Sequence, residues 1–206
     1  PYTEGLSETF WCNHVYFEDM RRNRTDIRPV IYHRWGGMGS HRYGVGASGN
    51  VFSYWPTLAF LPYFTATASN VAYGYWGHAI GGRILTGDEE DPELMLRWLQ
   101  YSVFSPLFRT NVPSTEHIKA APWLYPNYSL LKQAVQLRYR LFPYIYSACR
   151  RTYETGVCLC HPLYYDYPED NNAYTYENEY FFGPDILVSP IVTPALEDGL
   201  SRRSTW

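Results

Sequence analysis

The chain lacks what a membrane protein or a polyanion binder would need. No apolar run approaches the roughly 18 residues of a membrane-crossing helix, and Pro1-Tyr2-Thr3-Glu4 offers neither a basic n-region nor an apolar h-region. Neither sign of charge dominates. The 17 basic and 20 acidic residues leave a formal net charge of -3, with no long run of either. That balance gives no electrostatic footprint for nucleic acid or an anionic membrane, so neither is expected as a partner. A start methionine is also missing, so nothing fixes Pro1 as the natural start.

Cysteine is scarce, with four in 206 residues. Cys158 and Cys160 form a Cys-x-Cys pair that alternates like a strand, while Cys12 and Cys149 stand alone. This spacing is neither a zinc knuckle nor a redox Cys-x-x-Cys, so buried free thiols are expected, and no metal or cofactor. Two sequons, Asn23-Arg24-Thr25 and Asn127-Tyr128-Ser129, would matter only in a secreted eukaryotic protein. What the chain has in plenty is apolar mass. Hydrophobic residues make up 46% and aromatics 18%, enough to bury a sizeable core and far from the composition of disordered segments.

The elements alternate. Val30-Ile31-Tyr32 reads as a buried strand that ends at His33-Arg34 and opens into Trp35-Gly36-Gly37-Met38-Gly39-Ser40. Residues 56–68 read as a helix around Pro62. Val71 to Trp76 reads as a second strand, again ending in a polar, Gly-rich loop from Gly77 to Gly82. Pro92-Glu93 marks a helix start, and Leu94, Trp98 and Tyr101 then share one face. Pro106-Leu107-Phe108 reads as a third short strand, stopping at Arg109-Thr110-Asn111. A long helix from about Ser129 is expected to kink or split at Pro143 and to end at Gly156. Val157–Tyr167 and a pair around Tyr180–Phe182 and Ile186–Val188 read as strands.

Strand, loop and helix in repetition, with the polar residues at strand C-termini, fit an α/β barrel whose site lies on that face. A doubly wound sheet predicts a similar alternation, and the pattern alone does not choose. About four units are visible, and a complete eightfold barrel typically needs about 250 residues, so part of the fold is expected to be missing.

Specific segments narrow the choice. Phe10-Trp11-Cys12-Asn13-His14-Val15-Tyr16-Phe17-Glu18-Asp19-Met20, Arg28 to Gly37 and His41-Arg42-Tyr43 resemble, in order, the segments that follow the nucleophile in glycoside hydrolase family 31, the α-glucosidase and α-xylosidase family. The block Ala59 to Trp76, Arg97-Trp98-Leu99-Gln100, Phe104-Ser105-Pro106, Leu137 to Tyr146 and Phe182 to Pro190 resemble it equally. The resemblance covers nearly the whole chain. It implies an α/β fold: the second half of a (β/α)8 TIM barrel over 1–160, then the last barrel strand and the start of a C-terminal β-sandwich over 161–206. It also implies a partner, the N-terminal barrel half in the same or another chain, and a ligand, an α-linked carbohydrate.

The family's retaining mechanism needs two carboxyl groups about 5 to 5.5 Å apart, one attacking the anomeric carbon and one protonating the leaving oxygen. The resemblance places the nucleophile upstream of this chain. The acid/base aspartate corresponds to Asn50 in Ser48-Gly49-Asn50, and an amide has no proton to lend, so general acid catalysis, typically worth about 10²–10⁴-fold, is expected to be lost. The family's His-Asp-Ile-Gly-Gly appears as His78-Ala79-Ile80-Gly81-Gly82, which turns a sugar-facing carboxylate into a methyl group. Its Arg-x-His appears as Arg109-Thr110-Asn111, and an aromatic three residues before the acid/base is Ala47. Arg34, Trp35 and Trp76 remain as candidate sugar contacts.

Without the resemblance each residue has a plainer reading. Asn50 suits a Gly-Asn turn, His33, His41 and His78 suit core or loop positions, Arg34 suits a strand-end ion pair, and the aromatics from Tyr73 to Trp76 suit the core. The functional readings are a family 31 hydrolase domain, a non-catalytic carbohydrate-binding protein on the same fold, or a fragment that completes another barrel.

Overall fold

The computed structural model describes residues 4–34, 38–85, 90–110 and 121–206. In chain order the main elements are α1 (Glu8–Asp19), β1 (Ile31–His33), β2 (Gly44–Ala47), β3 (Phe52–Ser53), α2 (Trp55–Thr67), β4 (Trp76–Gly77), β5 (Ile84–Leu85), α3 (Pro92–Ser102), α4 (Tyr128–Arg140), α5 (Phe142–Thr155), β6 (Cys160–Pro162), α6 (Asn172–Thr175), β7 (Tyr180–Phe182) and β8 (Ile186–Val188). The expected helix around Pro62 is α2. The expected split of the long helix is the break between α4 and α5, where Pro143 sits in the first turn of the second helix. Gly156 ends α5 at φ 79°, a left-handed cap that glycine adopts without steric cost.

Short parallel strands set the first layer. β1, β2 and β4 lie side by side in that order, β3 and β5 form a second parallel pair, and β6, β7 and β8 form an antiparallel sheet. Three strand expectations are corrected. Val71–Trp76 is not one strand: residues 68–71 form a 3₁₀ turn, Ala72 sits at φ 57°, and only Trp76–Gly77 pairs. Among the described residues Pro106–Phe108 joins no ladder; the Arg138 guanidinium takes the carbonyls of Val103, Ser105 and Pro106 at 2.7, 2.7 and 3.1 Å. Beyond it, Thr110 makes a single parallel bridge to Ile80. The three expected strands are therefore not adjacent, and β2 lies between β1 and β4. The strand expected over Val157–Tyr167 is shorter as well, since Cys160–Pro162 turns into a 3₁₀ segment at Leu163–Tyr165.

Helices pack against the strands. Leu94, Trp98 and Tyr101 of α3 are all buried, as their shared face predicts, and pack with Leu58 and Leu61 of α2, Leu131 of α4, and Tyr180 and Phe182 of β7. The Tyr101 hydroxyl lies 2.6 Å from Thr65 Oγ1 and donates to the Leu61 carbonyl at 3.1 Å, tying α3 to α2 with its polar atom satisfied. All four cysteines are free; Cys158 and Cys160 are buried as expected, whereas Cys12 is exposed and Cys149 only partly covered.

Candidate functional site

The site is assembled at the C-terminal ends of β1, β2 and β4. Their register, Ile31 opposite Gly44, His33 opposite Gly46, Gly46 opposite Trp76 and Ala47 opposite Gly77, sets these ends level. Side chains along a strand alternate in direction. On β1, buried His33 turns to α1, where its Nδ1 lies 3.1 Å from Asn13 Nδ2, while Tyr32 is exposed and Arg34 shares its parity. On β4, Trp76 packs edge-on against Phe64 of α2 at 4.6 Å, and His78 beyond it meets Trp98 and Tyr101 of α3. Gly77 and Ala79 have the opposite parity.

Two of the candidate residues come together. Arg34 reaches across to β2 and lies on Gly49, so close that a Cβ there would collide with its guanidinium. Gly49 tolerates this because it has no side chain and sits at φ 71°. Asn50 follows at once, exposed, and its Oδ1 accepts a hydrogen bond from Arg83 Nη1 at 3.0 Å. Arginine only donates, so this contact fixes the amide with its NH₂ group turned to other partners. The Arg83 and Ile84 amides both donate to the Val51 carbonyl, at 2.8 and 3.1 Å, locking that loop to the segment after Asn50. Ala79, two residues beyond β4, is buried at 4% exposure. Trp76 is not brought to this cluster; it is 2% exposed and sits in the core. Trp35 and Asn111 lie outside the described residues.

Sequence reasoning missed Arg83, and its only signal was its place directly after the Gly81-Gly82 pair. It also passed over the pair of Arg109 and Tyr32. The guanidinium lies 5.0 Å over the phenol ring, and Nη1 donates to the hydroxyl at 3.0 Å. His78 is fully enclosed and accepts from Trp98 Nε1 at 3.0 Å. Burial pushes its pKa down from 6.5 to about 3, so it is neutral at physiological pH and is a packing residue. A cleft of about 670 Å³ along residues 166–172 is lined by none of these side chains.

Parallel strands backed by helices, with arginine, amide and glycine gathered at their C-terminal ends, define an α/β domain with its candidate site on that face. Residues 6–148 match the glycosyl hydrolases family 31 TIM-barrel domain and residues 156–204 match the glycosyl hydrolase family 31 C-terminal domain. The chain belongs to glycosyl hydrolase family 31. It is 34% identical over 182 residues to an alpha-xylosidase of Saccharolobus solfataricus, covering 85% of this chain and 24% of the relative. It is 27% identical over 188 residues to alpha-glucosidase 2 of Bacillus thermoamyloliquefaciens, covering 90% and 23%. A dextranase of Flavobacterium johnsoniae complexed with glucose superimposes with a TM-score of 0.80 at 25% identity, over 89% of this chain and 24% of that one. An alpha-xylosidase from a soil metagenome complexed with xylose gives 0.77 at 28%, over 88% and 30%. The chain thus spans about a quarter of the length of the relatives it matches.

Proposed function

We propose that this chain is the second half of a family 31 catalytic barrel, running into the start of a C-terminal β-sandwich, whose site still binds α-linked glucosides or related sugars but hydrolyses them poorly or not at all. The unit boundaries we assign are 1–160 and 161–206. A further segment, in the same or another polypeptide, supplies the rest of the barrel and the nucleophile.

The observation that carries the reading is the Asn50–Arg83 contact at 3.0 Å. A retaining mechanism needs one group that protonates the leaving oxygen and later takes a proton from water. The Asn50 amide does neither, and a guanidinium beside it repels the proton that a substitute acid would have to hold. Ala79 adds to the loss by removing a polar contact of the kind that strengthens toward a charged transition state. Arg34 remains in place to meet sugar hydroxyls, so binding outlives chemistry. Trp76 is assigned to the core.

The test is a paired assay on the full-length protein, wild type against Asn50→Asp, with p-nitrophenyl α-glucoside and α-glucosyl fluoride, alongside calorimetric binding of methyl α-glucoside. Sugar binding with no turnover of the aryl glucoside in either form is expected. Robust wild-type turnover would overturn the impaired-site reading and show that another carboxylate serves as the acid.

A further inference from the structure

We infer that the strand-end site takes a sugar bearing an anionic group, a carboxylate or a sulfate ester, in preference to a neutral glucoside. The inference rests on the carbohydrate-binding reading above and adds a substrate class to it.

Three guanidinium groups reach the same end of the sheet. Arg34 lies on Gly49, Arg83 holds Asn50, and Arg109 lies over Tyr32, two residues before Arg34 and on its side of β1. Among the described residues none of the three is ion-paired; the salt bridges there involve Arg22, Arg24, Arg97, Arg150, Arg202 and Arg203, together with His161. Asn50, the side chain that Arg83 holds, is an uncharged amide.

The hydrogen-bonding inventory points the same way. Arg83 spends one N–H on Asn50 and so turns the amide NH₂ outward, and Arg34 has no hydrogen-bond partner among the described residues. Guanidinium groups are donors only, and one of the two lone pairs of Asn50 Oδ1 is already engaged by Arg83, so donors outnumber acceptors among these side chains. A neutral sugar hydroxyl is best met by a mixture of donors and acceptors. A carboxylate or sulfate, which accepts only and matches the planar fork of arginine, is met by this set. The site is partly exposed, so the attraction should weaken with salt.

The experiment titrates the full-length protein by calorimetry at low ionic strength with methyl α-D-glucuronide, glucose 6-sulfate, methyl α-D-glucoside and sodium sulfate. Wild type is compared with Arg83→Gln and Arg34→Gln, each checked for an unchanged unfolding temperature. The glucuronide or the sulfate ester is expected to bind at least about tenfold more tightly than the neutral glucoside, and which of the two wins identifies the anionic group. That preference should collapse in either variant that remains folded, and also in roughly 0.5 M salt, where the screening length is well below the roughly 10 Å of a dilute buffer. Equal or tighter binding of the neutral glucoside would overturn the inference while leaving the carbohydrate reading intact. Binding of none of the sugars would overturn both, and sodium sulfate binding as tightly as the sugars would reduce the site to a general anion patch. A preference that survives in both folded variants would also overturn it.

Discussion

At Gly49 the backbone holds φ 71° and the Arg34 guanidinium occupies the space a Cβ would need. Gly156 has a similar φ of 79° with nothing within 4 Å, so the two glycines separate conformational cost from collision. Alanine at either position should cost about 1–2 kcal/mol for the left-handed backbone, read from denaturant unfolding. Only Gly49→Ala should also weaken sugar binding, by displacing Arg34; equal losses in both would show that Arg34 is not held by this contact. Asn50 offers a second test at this scale. In Asn50→Asp the new carboxyl would face Arg83 across what is now a 3.0 Å contact. The guanidinium should hold it below the ordinary aspartate value of about 3.9, and adding Arg83→Gln to the same protein should let it rise. An NMR titration of the carboxyl carbon introduced by Asn50→Asp reads both. Unchanged values between the two proteins would mean that Arg83 swings away, and with it the argument that simple restoration of the aspartate fails to restore an acid.

Elements are joined by a few polar contacts that the sequence alone could not locate. Arg138 of α4 donates to three carbonyls, of Val103, Ser105 and Pro106. Arg138→Met should lower stability by about 2–4 kcal/mol, since charge-assisted bonds are lost and carbonyls are left without a partner. Arg138→Lys should recover only part, because an ammonium cannot reproduce the planar fork. His78 joins β4 to α3 and gives stability a pH dependence. Its folded pKa lies near 3 against 6.5 in the unfolded chain, so the unfolded state alone gains a proton as pH falls between those values. The stability is present above about 6.5 and is lost progressively toward about 3, by at most about 1.4 kcal/mol per pH unit. In His78→Gln, whose amide oxygen can still accept from Trp98, the urea midpoint should fall less steeply over that window. The helices were legible because proline, glycine and apolar spacing mark them, as at Pro143, Gly156 and Leu94–Trp98–Tyr101. β2 was not, because Gly44-Val45-Gly46-Ala47 has little β-forming pattern; Gly46 is there to admit the Tyr73 hydroxyl, which a Cβ would strike. Among the candidate positions, Arg34, Asn50 and Ala79 were named through motif positions, whereas Arg83, which holds Asn50, is defined only by where its loop folds back.

For the whole molecule the accessible surface, 12544 Å² at 24.1 kDa, exceeds the roughly 10,000 Å² of a self-standing folded monomer of that mass. Two exposed surfaces stand out among the described residues. Among the described residues β1 pairs only with β2, and Val30 and Tyr32 beside its open edge are 60% and 47% exposed. An open edge offers unpaired backbone groups as a template for association. On α4 and α5, Tyr139, Phe142, Tyr146 and Tyr153 recur at helical spacing and remain exposed, forming an aromatic stripe that the described chain leaves bare. Both surfaces are apolar enough to drive self-association in water, and both would be covered if further barrel strands paired at β1 and a further helix lay along α5. Residues 1–206 expressed alone are therefore expected to bind a hydrophobic dye, to run as mixed oligomers in size-exclusion chromatography and to unfold without a sharp transition. Co-expression with the preceding part of a longer family 31 protein should abolish all three. A monomeric, dye-silent 206-residue protein with a single cooperative transition would refute the need for that partner, and would force Val30, Tyr32 and the aromatic stripe to be read as an ordinary solvated surface.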